Sequence, residues 1–178
     1  QAFGIADADR IVTGFHRPNL FLRATPVTAE ARDAFLVERL QALPTGPTIV
    51  YVTLQRTAER VARLLVQAGF PAEAYHAGMK AEVRTEVQER FMASDAGVVV
   101  ATIAFGMGID KADIRTVIHY NLPKALENYA QEIGRAGRDG LPSTCELLAC
   151  RDDVVTLQNF SYGDTPSRQA VRALVGEL

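Results

Sequence analysis

Apolar residues recur along this chain with two different periods. Thr48 to Thr53 (TIVYVT), Gly97 to Ala101 (GVVVA), Arg115 to Tyr120 and Cys145 to Leu148 are short apolar or β-branched runs. Runs of this kind predict strands buried on both faces. Leu20 to Ala24 and Ala72 to Tyr75 predict two more short strands. Between them the apolar spacing becomes helical. Phe35, Leu36, Leu40 and Leu43 mark a helix over Ala29–Leu43, and Val61, Leu64 and Leu65 mark one over Arg56–Ala68. Further helices are predicted over Lys80–Ala93, Lys124 to about Ala136, Asp152–Phe160 and Pro166–Leu178. Leu-Pro-Thr-Gly-Pro at 43–47 and Gly69 are the stop signals. Strand and helix alternate throughout, so the fold class is α/β, with a mostly parallel sheet of about six strands covered on both faces.

That topology says where to look for chemistry. Ligands of such sheets sit outside the carboxyl ends of the strands. The segments just after the predicted strands are Thr53–Arg56, His76–Met79, Thr102–Lys111 and Asn121–Pro123, and they are polar or glycine-rich. Composition narrows the classes. The 178 residues carry a net charge of −2, so any nucleic-acid contact must come from a local basic stripe and not from global charge. No apolar run is long enough to span a membrane and no signal peptide is visible, so no membrane partner is expected. Two cysteines, Cys145 and Cys150, suit a reducing, cytoplasmic setting and read as inert buried thiols on opposite faces of one strand. Two ligands are too few for structural zinc. His16, His76 and His119 are dispersed without metal spacing. The chain opens at Gln1 and stops inside an apolar-periodic stretch, so it is read as a piece of a longer polypeptide.

The sharpest chemical segment is Gln131-Glu-Ile-Gly-Arg135-Ala-Gly-Arg138-Asp-Gly140. Arginines three apart share a face of a helix or of its last turn. Paired guanidinium forks suit phosphate oxygens. Two glycines there suggest a helix end or a close backbone approach. An isolated arginine pair would be a solvated helix terminus; the whole spacing Q-x-x-G-R-x-G-R-x-G argues otherwise. In Thr102-Ile-Ala-Phe-Gly106-Met-Gly108-Ile-Asp110-Lys111 a buried strand runs into a glycine loop bearing a hydroxyl, a carboxylate and a lysine. Glycines admit backbone amides to a phosphate, and a threonine hydroxyl donates to one. Tyr75-His76-Ala-Gly78-Met79 is a small-residue turn after a strand, followed by a helix carrying Arg84. Ile49-Val-Tyr-Val-Thr53-Leu-Gln-Arg56 ends a buried strand in a hydroxyl and, three residues on, a guanidinium.

In order and spacing these segments resemble motifs VI, V, IVa and IV of the RecQ family of superfamily 2 DNA helicases, in the second RecA-like motor lobe. Phe15-His-Arg-Pro-Asn19 is similar to the element that opens that lobe, with His16 where Asp is common. Val52 replaces a usual cysteine, and Asp110 stands where many relatives carry Asn. The resemblance implies a RecA-like three-layer sandwich at 20–162, an inter-lobe lead-in at 1–19 and the start of a connector at 163–178. It implies that Arg138 is an arginine finger and Arg135 its partner at the γ-phosphate of ATP, with Gln131, Gly106, Gly108 and Asp110 on the nucleotide side. Thr102, His76, Gly78, Thr53, Arg56 and Arg84 would contact the DNA backbone. ATP and Mg²⁺ would be gripped mainly by a first lobe joined in cis, since the chain has no G-x-x-x-x-G-K-[ST] loop and no D-E-x-H segment. The implied partners are that lobe and single-stranded or forked DNA, the implied direction is 3′ to 5′, and the expected location is cytoplasmic, at the nucleoid. The chain alone is expected not to turn over ATP. The alternatives are the matching lobe of an RNA helicase, which typically carries A-R-G-x-D in place of F-G-M-G-I-D, and a binding module without motor activity. A dinucleotide-binding domain is disfavoured because no G-x-G-x-x-G follows the first strand.

Overall fold

The computed structural model describes residues 17–102, 105 and 109–162. Gly106, Gly108, the lead-in before Arg17 and the helix expected over Pro166–Leu178 lie outside them. The elements run β1 (Leu20–Pro26), α1 (Arg32–Ala42), β2 (Thr48–Tyr51), α2 (Gln55–Gln67), β3 (Ala72–Tyr75), α3 (Ala81–Ala93), β4 (Val98–Ala101), β5 (Thr116–His119), α4 (Leu126–Ile133), β6 (Ser143–Ala149) and α5 (Asp152–Tyr162). The six strands form one sheet in the order β1-β6-β5-β2-β4-β3, and every neighbouring pair is parallel.

The period of two along a strand explains why the apolar runs are continuous. Val50, Val100, Ile118 and Leu148 face α1 and α2, packing on Leu36, Leu40, Val61 and Leu65. Their neighbours Ile49, Tyr51, Val99, Val117 and Cys145 face the other way, with Val87 and Phe91 of α3, Phe105, Ile114 and Ala136. The apolar residues of the inner strands therefore alternate between one core and the other. Burying a side chain of this size contributes about 1.5–3 kcal/mol. The Cys145 thiol, deep in the second core, is pushed up to about 12 by burial, which leaves it protonated and inert. Cys150 is also buried, one residue beyond β6.

β1 runs two residues past the expected Ala24. It is an edge strand bonded only to β6, and Phe21 and Leu22, on its two faces, are 61% and 58% exposed. Pro26 is tolerated at its end because an edge position needs no N–H on its open side. α4 ends at Ile133, short of the expected Ala136. Gly134 closes it, and the amides of Arg135 and Ala136 then bond three residues back, to Glu132 and Ile133. The arginine pair therefore stands in successive turns after the helix and not on it.

Candidate functional site

The sheet register assembles the first part of the site. Tyr51 pairs with both Ala101 and His119, and Tyr75 pairs with Ala101. β5, β2, β4 and β3 thus end level, and the residues that follow lie along one edge of the sheet, Thr102 and His76 one position past the last paired residues and Thr53 and Asn121 two. The Thr53 amide donates to Asn121 Oδ1 at 3.2 Å. The Thr102 amide donates to the Tyr75 carbonyl at 3.2 Å, and the Thr102 carbonyl accepts from Phe105 at 3.0 Å. These backbone bonds leave the side chains of both half-buried threonines available at the rim. Arg56, in the first turn of α2, is exposed, with no ion pair among the described residues. Arg84, on α3, is half-buried.

His76 is placed differently from a surface contact. Its ring is buried, with Nε2 3.3 Å from Glu59 Oε1 on α2 and Nδ1 lacking a partner. The backbone of Ala77 and Gly78 is what faces outward. A side chain at Gly78 would run into Gln55 Oε1 and come within 3.2 Å of His76 Nδ1. The turn packs directly on the start of α2, and a larger residue there would have to displace the Gln55 side chain.

The second part is the loop from Gly134 to Gly140, on the α3–α4 side of the sheet. Gly137 has φ +54°, and a Cβ there would meet Asn19 Nδ2 and Ser143 Oγ at 2.6 Å. The loop is tied down from both sides. The Gly137 amide bonds the Ile114 carbonyl and the Asp139 amide the Ala112 carbonyl. Arg17 donates to the carbonyls of Gly134 (2.9 Å) and Gly137 (2.6 Å), and Asn19 to Gly137 (2.8 Å) and Leu141 (3.0 Å). Arg115 Nη2 lies 2.5 Å from Asp139, and that guanidinium holds the Asp139 carboxyl below its ordinary value. The backbone is fixed, while the two guanidiniums are only partly engaged. Arg135 is buried, its Nε has no partner, and it faces the hydroxyl of Tyr51. Burial raises the Tyr51 hydroxyl and Arg135 pulls against that rise. Arg138 is 37% exposed and reaches Asp110 at 2.9 Å; Asp110 itself is 90% exposed. Gln131 lies exposed on α4.

Between the two parts lies a small cavity lined by Tyr51, Thr53, His119, Asn121, Lys124 and Glu132. The His119–Glu132 pair inside it is 2.7 Å apart and buried, and the His119 ring stacks on Tyr51 at 5.3 Å. Sequence reasoning assigned no role to Arg17, Asn19, Tyr51, Asn121 or Glu132. Asn121 falls within a segment marked only by topology, and Arg17 and Asn19 within an element read as the opening of the lobe; their side-chain partners lie 32 residues or more away in sequence, beyond any local pattern.

Comparison with known proteins bears on this geometry. The model of the helicase conserved C-terminal domain matches residues 31–140. The chain is 46% identical over 165 residues to the mouse bifunctional 3′-5′ exonuclease/ATP-dependent helicase WRN, covering 90% of this chain and 12% of that protein. It is 44% identical to the RecQ-like DNA helicase blm-1 of Caenorhabditis elegans, over 84% of this chain and 15% of the relative. It is 43% identical to the ATP-dependent DNA helicase RecQ of Bacillus subtilis, over 88% of this chain and 26% of the relative. The chain therefore spans between 12% and 26% of the length of these proteins. Among solved structures, the E. coli DEAD-box protein SrmB, bound to regulator of ribonuclease activity A, superposes with a TM-score of 0.68 at 26% identity, over 75% of this chain and 79% of that one.

Proposed function

From the premise that the chain belongs to the helicase conserved C-terminal domain family, with RecQ-type DNA helicases as relatives, we propose that it is the second motor lobe of an ATP-dependent DNA helicase. The observation that carries this reading is the loop holding Arg135 and Arg138. Its backbone is anchored by Arg17, Asn19, Ile114 and Ala112, yet a buried guanidinium nitrogen of Arg135 has no partner and Arg138 rests on a solvent-exposed carboxylate. A buried donor left without a partner costs about 1–3 kcal/mol, and a ligand that completed it would recover that cost. Phosphate oxygens are the ligand that fits planar guanidinium forks.

ATP, bound mainly by a first lobe together with Mg²⁺, would supply the phosphoryl group and the free energy for movement. On this chain Arg138 is the finger that stabilises charge at the γ-phosphate. Arg135, seated on Tyr51, orients beside it, and Gln131 and Asp110 border the same cleft. Along the adjoining row of strand ends the Thr53 and Thr102 hydroxyls, the Ala77–Gly78 backbone, Arg56 and Arg84 grip backbone phosphates without reading sequence. The ATP-driven change in distance between the lobes would then advance this grip along one strand, 3′ to 5′. The chain alone, with no phosphate cradle in its sequence, would not hydrolyse ATP.

The test is DNA-stimulated ATP hydrolysis by the parent protein carrying Arg138→Ala. The expected result is a loss of roughly 10³-fold in turnover with ATP binding retained, as for arginine fingers elsewhere. Unchanged turnover would leave the arginine pair a structural part of the loop after α4. Stimulation by single-stranded RNA in place of DNA would favour the RNA-helicase reading.

A further inference from the structure

The turn after β5 is held by a buried charge. Asp153, at the start of α5, is 7% exposed, and its carboxylate accepts four times. Arg32 Nη1 of α1 donates to Oδ1 at 2.9 Å and to Oδ2 at 3.2 Å. Asn121 Nδ2 donates to Oδ1 at 2.8 Å, and the Leu122 amide to Oδ2 at 2.9 Å. Arg32, 4% exposed, also donates to the Tyr120 carbonyl at 3.2 Å. Two helices that lie far apart in sequence therefore converge on residues 120–122.

Asn121 passes this constraint across the sheet. Its Nδ2 is bound to a carboxylate and its Oδ1 accepts the amide of Thr53. Only one orientation of the side-chain amide satisfies both neighbours, because the carboxylate requires a donor and the Thr53 amide an acceptor. The bridge runs from the end of β5 to the end of β2. Threonine, aspartate or serine at 121 would lack either the reach or the donor. Asn121 and Thr53 also line the same small cavity, so the bridge lies at the rim where the row of strand ends begins.

We propose that Asn121, clamped by the Asp153–Arg32 pair, is a positioning residue for DNA binding that fixes the Thr53 turn. The hydroxyl of Thr53 and the first turn of α2, which carries Arg56, take their place from it. This rests on the reading that Thr53 faces the DNA backbone. Without the bridge, the Thr53 amide exchanges its protein acceptor for water and the turn samples other orientations. The chemistry at the arginine loop has no part in the bridge.

The experiment measures binding of a labelled single-stranded oligothymidylate to the parent protein, with ATP KM and melting temperature recorded for each variant. Asn121→Ala is expected to weaken DNA binding about tenfold, equivalent to the loss of roughly one hydrogen bond's net contribution, while ATP KM stays within about twofold. The double variant Asn121→Ala/Thr53→Ala is expected to bind less weakly than the sum of the two single effects, because part of the Asn121 effect runs through the Thr53 hydroxyl. Asn121→Asp retains the acceptor and the size but loses the donor, setting a carboxylate against Asp153. It is expected to weaken binding as Asn121→Ala does, and it carries the test if the alanine variant melts early. Wild-type DNA affinity in both Asn121 variants, with Thr53→Ala weakened, would overturn the proposal. So would full additivity in the double variant, which would mean that Asn121 acts by a contact of its own, and so would an equal change in ATP KM, which would mean a merely structural role. Thr53→Ala with unchanged DNA affinity would instead remove the premise that Thr53 faces DNA.

Discussion

The row of strand ends and the arginine loop solve opposite problems. At the strand ends, the side chains that shape the surface bond one another, Thr53 on Asn121, Asn121 on Asp153 and Asp153 on Arg32, although Arg32 Nε and His76 Nδ1 are left without a partner. At the arginine loop the neighbours hold the backbone, while Arg135 keeps an orphan Nε and Arg138 leans on an exposed aspartate. The first arrangement suits a ligand that slides and must meet the same surface at every step. The second suits a ligand that arrives, completes the site and leaves. Preorganisation is placed in side chains in one case and in backbone alone in the other.

Substitutions that separate the two regions sharpen this contrast. The largest effect on stability is expected from Arg32→Ala. It strands the Asp153 carboxylate in a buried setting, and breaking one side of such a pair costs about 3–5 kcal/mol. Equilibrium denaturation should register it, and DNA binding should fall with it; a loss below about 1 kcal/mol would mean that the pair is dispensable to the strand ends. Gly137→Ala comes next. A side chain at φ +54° pressed against Asn19, Ser143 and the Leu141 carbonyl should cost roughly 1–3 kcal/mol. In the parent protein it should slow ATP turnover more than it weakens DNA binding, and an equal loss of both would dissolve the distinction between the regions. The smallest effect belongs to Asp33, which lies in neither. Burial resists its ionisation, but Arg60 and the Tyr120 hydroxyl donate to it, and the net result holds its carboxyl below the ordinary 3.8. A depressed folded-state value means that its contribution is complete above about pH 4 and is lost as pH falls through the folded value. Asp33 is partly exposed, so the contribution is at most ~1 kcal/mol. Asp33→Asn should lower the melting temperature at neutral pH by that small amount and converge with the wild type in acid, which flattens the acid limb of the profile.

Much of this architecture is legible in the sequence, and for a definite reason. Strands buried on both faces must be apolar at every position, so TIVY and VVVA announce both the strand and the parallel sheet. β1 is less legible because an edge strand answers to only one neighbour, and its LFLRATP alternates with no single face in mind. Of the site, the motif spacing marks Arg135, Arg138, Thr53 and Thr102. The side chains that hold them escape local reading: Asn19 lies 118 residues from Gly137, and Asn121 lies 68 from Thr53. His76 illustrates the converse. Its place in a small-residue turn suggests exposure, but the preceding Tyr75 is fixed by strand register and turns the ring inward toward Glu59.

The pairing of β1 with β6 has a consequence for how the chain is made. The first strand finds its partner only when the last has left the ribosome, and Arg17 grips Gly137 across 120 residues. At ordinary rates of synthesis that interval is roughly 6–25 s. During it Phe21 and Leu22 belong to an unpaired strand, and the arginine loop, which borrows Arg17 and Asn19 for its anchorage, cannot form before Gly137 emerges. The phosphate-facing end of the lobe is thus among the last parts to acquire its shape. The strand ends around β2, β3 and β4, whose pairing needs only residues up to Ala101, are free to assemble earlier.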